Sequence, residues 1–150
     1  MKRIYKAVVL FILLFSHINT KAQVLTERRP QLFAAFSKTI NFPKTEIEKI
    51  FSTAQGRTIK LSLGDNVSFT GVITSSLQPY PNLQSVIIQL NNLDNSVLGI
   101  SKIINDDHTI SYVGRIVNTK YADAFELKAD QSGNYSINKK NTADLIEDHE

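Results

Sequence analysis

The side chains able to do chemistry in this chain are few and scattered. Asp106-Asp107-His108 brings two carboxylates and an imidazole together. Three consecutive residues cannot converge on one ion from a strand or a simple turn, so a polar hairpin turn is the better reading. Glu147-Asp148-His149-Glu150 is an acidic run that reads as a solvated tail. Asp123, Glu126 and Asp107 are the carboxylates from which an acid–base pair for peptide or glycan hydrolysis would be drawn. HExxH, GxSxG, P-loop and dinucleotide patterns do not occur. The residues therefore nominate no catalytic group, no metal ligand and no cofactor.

Arg115 and two tyrosine-bearing connectors carry more. Arg115 stands between Val113 and Val117 on one face of a strand-like run. An arginine there is expected to be structural, held by a carboxylate such as Asp123 or Glu126. Ser76-Leu77-Gln78-Pro79-Tyr80-Pro81-Asn82 and Thr119-Lys120-Tyr121-Ala122-Asp123 follow two similar strands, and each presents a tyrosine. Prolines stiffen the first connector, and tyrosine offers a broad amphipathic contact suited to a protein or a sugar ring. Pro79, Tyr80, Pro81 and Tyr121 are thus the expected binding surface, gathered at one end of a sheet.

Those strands belong to a repeat. VSFTGVITSS at 67–76 aligns without gaps on ISYVGRIVNT at 110–119, matching Ser68 with Ser111, Gly71 with Gly114 and Ile73 with Ile116. A glycine in mid-strand weakens the strand, so Gly71 and Gly114 imply a bulge or a close approach by a neighbour. Further alternating runs lie at 57–63, 85–90, 96–104, 124–128 and 134–138, separated by Asn-, Asp- and Gly-rich turns. Upstream, Leu32, Phe33, Phe36 and Ile40 share a helical face, and Asn41-Phe42-Pro43 interrupts it. A second helix at 45–54 has Thr45 and Glu48 at capping-box spacing, Ile47, Ile50, Phe51 and Ala54 on one side, and Gly56 beyond it.

Residues 1–22 read as an export signal. Lys2, Arg3 and Lys6 precede the nine-residue apolar run 7–15, and Thr20-Lys21-Ala22 places small residues at the cleavage positions. That run crosses only about half a bilayer, so no stable membrane anchor is expected after cleavage. Four of the 17 basic side chains and none of the 14 acidic ones precede residue 23, so the mature chain is near −1 rather than +3. Nucleic acid is excluded as a partner on that charge. With no cysteine, the secreted or periplasmic domain has neither disulfides nor a lipidated cysteine and must rely on its core.

The stretch 67–138 resembles small exported bacterial proteins of uncharacterised function, through GRIVNTKYADAFEL and GNYSINKK. FTGVI, YVGRI and GNYSI also give a fainter similarity to propeptide modules of secreted metalloproteases. That similarity implies a protease-inhibitor role, although no cysteine is available for a zinc-capping switch. The expected architecture is α+β. One or two N-terminal helices within 27–56 pack on a mostly antiparallel sheet of six to seven strands over 57–139, built from two similar meander units. A polar acidic tail at 140–150 follows, and residues 23–150 form one domain. The expected function is a non-enzymatic binding or accessory module of the bacterial envelope, with a protein or glycan partner. A small secreted hydrolase is the competing class.

Overall fold

The alternation that begins near residue 57 becomes a series of strands, joined by short turns, that runs to Asn141. A computed structural model describes residues 29–147; the expected signal at 1–22 and the end of the expected acidic tail, 148–150, lie outside the described residues. Seven successive strands are β2 (Thr58–Ser62), β3 (Ser68–Tyr80), β4 (Leu83–Leu90), β5 (Ser96–Ile104), β6 (Ile110–Val117), β7 (Asp123–Ala129) and β8 (Tyr135–Asn141). Each pairs antiparallel with the next, giving an uninterrupted meander. Short polar turns make this possible: Asp65-Asn66 and Asp94-Asn95 both take left-handed backbone angles, as tight hairpins require.

An eighth strand, β1 (Thr39–Asn41), comes from before the meander and pairs with β8, so the order is β1-β8-β7-β6-β5-β4-β3-β2. The sheet curls into a half-barrel until its two edges approach each other. There the Gly64 N–H, just past β2, donates to the Asn41 carbonyl of β1 at 2.8 Å.

Inward-facing residues alternate along every strand, with Phe69 and Ile73, Val86 and Ile88, Leu98 and Ile100 among the fully or nearly fully buried ones. Gly71 and Gly114 take equivalent inward positions between an aromatic residue and an isoleucine. A Cβ on Gly71 would overlap the Gln89 carbonyl of β4, and one on Gly114 would lie 2.8 Å from the Gly99 carbonyl of β5. The two copies of the repeat thus share one task, which is to let a neighbouring strand's backbone press close as the sheet bends.

The interior is filled by what precedes the meander. Helix α1 (Lys44–Ser52) connects the two edge strands and buries Ile47 and Ile50. Pro43, not Thr45, precedes its first turn, and its carbonyl accepts the Glu46 and Ile47 N–H groups without a side-chain cap. The Glu46 carboxylate also accepts the Ser62 N–H at 3.0 Å, tying the helix to the end of β2. Gly56 does take a left-handed angle, but it lies beyond the helix end in the turn toward β2.

The α+β expectation is corrected here. The described residues are mostly β, with one short helix, α1, on the chain's way into an eight-stranded sheet. The helix expected over Leu32–Ile40 is absent. Residues 33–36 make a single turn, with the Phe36 N–H donating to the Phe33 carbonyl, and residues 39–41 are strand β1. A second short helix, α2 (Asp144–Glu147), follows β8 and buries Leu145.

The close approach at the glycines generates a graded expectation. Gly71→Ala should lower unfolding free energy by about 2–3 kcal/mol, since backbone must shift to admit the methyl group. Gly114→Ala should cost less. Gly99→Ala, whose Cβ would meet nothing within 4 Å, should be neutral or slightly stabilising. Urea denaturation of the three variants checks the ranking, and equal stabilities would remove the bending role from these positions.

Candidate binding site

Strand alternation that sends one set of side chains into the core sends the other to the outer face, and on β4–β6 that set includes several exposed aliphatic residues. Ile87, Val97 and Val113 are 41%, 37% and 49% exposed. They surround Gly99, which stands opposite Ile87 on one side and Arg115 on the other. Because Gly99 has no side chain and open space above it, the centre of this face is depressed. The result is an open hollow of about 880 Å³.

The polar end of the hollow lies on β6 and β7. Arg115 is directly across the ladder from Glu126, the register expected of a cross-strand pair. Lys128 Nζ lies 3.0 Å from Glu126 Oε2. That distance makes an ion pair, yet Oε2 is buried and no donor among the described residues is aligned to hydrogen-bond it. The lysine is half-exposed and so held only loosely over the carboxylate.

Beside this polar end the sheet parts. Strands β6 and β7 are in register only from Gly114–Leu127 to Ile116–Phe125, although both run further. Where the ladder stops, the Tyr112 N–H donates to the Tyr135 hydroxyl at 3.1 Å instead of to a strand carbonyl. Tyr135 reaches there from β8, its ring edge-on to Tyr112 with centroids 5.5 Å apart. The hollow extends into this parting and is lined there by Tyr112, Tyr135 and Ala129. Burial, with Glu48 and Tyr135 close by, raises the Tyr112 phenol above its ordinary pKa.

The residues singled out in the sequence are distributed differently from expectation. Tyr80 sits at the tip of the β3–β4 hairpin, 63% exposed like Leu77, and the first connector is mostly strand. Pro79 falls within a register shift of β3, where a missing N–H is tolerated, and Pro81 is exposed in the turn. Tyr121 lies at the other end of the sheet. Its hydroxyl donates to Asp94 Oδ2 at 3.1 Å in the β4–β5 turn, and that bond raises its pKa. Since β3 and β6 run antiparallel, the two tyrosine connectors leave opposite ends and form no joint surface.

The candidate carboxylates are equally separated. Asp107 caps its own turn by accepting the Thr109 N–H and hydroxyl, which hold it below the ordinary carboxylate pKa. Asp130 is lowered likewise by Asn134 in the β7–β8 turn. Glu126 faces outward. Asp123 turns into the core, 3% exposed, where its two oxygens accept the Leu32 and Phe33 N–H groups, both at 2.8 Å. Asp123 is therefore an anchor and not the partner of Arg115. Among the described residues no group of three His, Cys, Asp or Glu side chains could hold a metal ion.

Gly99, Ile87, Val97, Lys128 and Tyr135 complete the hollow but were not among the expected site residues. Gly99 carried the same signal as Gly71 and Gly114, a glycine inside an alternating run. Set against family models, curated proteins and solved structures, the chain matches none.

The anchor role of Asp123 has a direct consequence. Asp123→Asn keeps the shape but turns one acceptor into a donor facing a backbone N–H. It should cost about 3 kcal/mol in thermal or urea unfolding. Glu126→Gln, on the outer face, should stay near wild type. Equal effects of the two substitutions would refute the anchor.

Proposed function

We propose that this protein is an exported, non-enzymatic binding module of the bacterial envelope, and that its ligand occupies the outer-face hollow. The observation that carries the reading is the hollow itself: about 880 Å³, apolar around Gly99 and charged at its β6–β7 end. Binding pockets combine a mostly apolar lining with a few fixed polar groups in this way. The separation of Asp107, Asp123 and Glu126 to a turn, the core and the outer face supports a binding role over acid–base hydrolysis.

Export rests on the basic and apolar pattern of residues 1–22. No helix among the described residues is long and apolar enough to cross a membrane. The exposed hairpin tip with Leu77 and Tyr80 offers a second contact for a protein partner, independent of Tyr121.

Envelope extract incubated with the exported protein, followed by desalting and native mass spectrometry, tests the reading. A bound small molecule is expected on the wild type and not on Gly99→Leu, which fills the hollow without touching the core. An unliganded wild type, or an identical adduct on both proteins, would place the function elsewhere.

A further inference from the structure

Strand β3 is 13 residues long, and its neighbour β2 covers only the first part of it. The two pair from Ser68 to Val72, because the chain enters β2 through the turn at Gly56. The last bonds on that side run from the Gly56 N–H to the Ile73 carbonyl and from the Ile73 N–H to the Arg57 carbonyl, at 2.8 and 3.1 Å. Past Ile73 the sheet has an open edge, with no strand beside it among the described residues. A one-residue bulge at Thr74 then reverses which backbone groups face β4. The Asn91 N–H donates to the Thr70 carbonyl, so alternate residues of β4 back to Ser85 turn their backbone groups to β3. Ser85 is paired with Leu77, which leaves the N–H and C=O groups of Ser76 and Gln78 pointing out along the open edge.

Natural sheets blunt such edges with charged side chains, most often lysine. Here that device is missing, since no Asp, Glu, Lys or Arg occurs from 66 to 93. The bulge at one end and Pro79 at the other confine any pairing to the few residues between them. We propose that this edge pairs with the same edge of a second copy of the chain, antiparallel, about a two-fold axis at Leu77. The proposal starts from the hairpin contact named above and is independent of the hollow. About that axis, Ser76 of each copy exchanges both backbone bonds with Gln78 of the other, so every edge-facing group is used. Leu77, 63% exposed, meets Leu77 of the second copy in the close, non-hydrogen-bonded position, with Cα atoms about 4.5 Å apart. An axis at Ser76 or Gln78 would instead set one of them against a residue whose groups face β4. A charged peptide finds nothing complementary on this edge, whereas a second copy brings an equally uncharged strand with leucine against leucine. The contact is isologous and closes on itself, so it gives a dimer and no fibre.

Sedimentation equilibrium of the exported protein should show a reversible dimer by about 100 μM, because a contact this short is weak. Leu77→Lys and Leu77→Glu each set like charges face to face and should each weaken the dimer about tenfold or more. An equimolar mixture of the two variants should restore it, since a residue on the axis meets only its own counterpart. Leu77 is exposed, so urea unfolding of both variants should match wild type and show that the fold is kept. Gly99→Leu should leave the dimer intact.

A wild type that stays monomeric, or a dimer that survives both charged variants, would overturn the proposal. A dimer lost in each variant but not restored by mixing would set Leu77 against some other surface and overturn the symmetric pairing. Loss of the dimer in Gly99→Leu would move the contact to the hollow and overturn the proposal as well. The envelope-extract experiment judges the hollow by its bound adduct, so failure of the dimer and failure of the binding-module reading are told apart.

Discussion

Everything in this structure hangs on a carboxylate that cannot reach water. Asp123, at the start of β7, holds the Leu32 and Phe33 amides in the core. A buried polar group of this kind is tolerable because both oxygens receive hydrogen bonds. With those amides fixed, the Phe33 ring lies tilted against Phe125 with centroids 4.6 Å apart, and Phe36 bridges from Phe125 on β7 to Phe69 on β3, at 6.2 and 6.5 Å. The rings span the interior between strands four places apart in the sheet. The same segment then runs into β1, which covers the edge of β8. One anchor therefore fills the half-barrel and protects one of its edges.

The filled interior decides where function can lie. Small barrels commonly hold ligands inside, but here Phe33, Phe36, Phe42 and helix α1 occupy that space. At the opposite end, Phe51 of α1 lies 5.6 Å from Tyr112, which meets Tyr135 in turn. On the binding-module reading proposed above, the small-molecule surface left is the outer face, and its shape comes from the same bending that curls the sheet. Gly114 lets β5 approach closely at its Gly99 carbonyl, so the glycine that floors the hollow is also the contact that bends the strands.

Much of the sheet was legible because period-2 alternation is a local property, read directly at Ile59 and Leu61 or at Tyr112 and Ile116. The segment Leu32–Ile40 was not. Its spacing of Phe33 and Phe36 suits a helix, yet its backbone donors are claimed by a residue some ninety positions away. No window of sequence contains that competition. The tyrosine connectors failed for a different reason, one the sequence did contain. Two strands intervene between β3 and β6, so in a meander the matching strands must point in opposite directions. The hollow was hidden because β4 reads as a continuous apolar run, Val86-Ile87-Ile88, in which the outward Ile87 is indistinguishable from its buried neighbours.

The claim that the filled core forces binding to the outer face is tested most directly by methyl NMR during titration with the envelope-extract fraction that yields the adduct. The Ile87 and Val113 methyls should shift in proportion to ligand, while Ile88 and Ile116, on the inner face of the same strands, stay in place. The Leu32 and Phe33 amides should keep their protection from exchange throughout. Shifts concentrated at Ile88 and Ile116, with loss of protection at Leu32 and Phe33, would mean that the ligand enters the half-barrel and that the account is wrong.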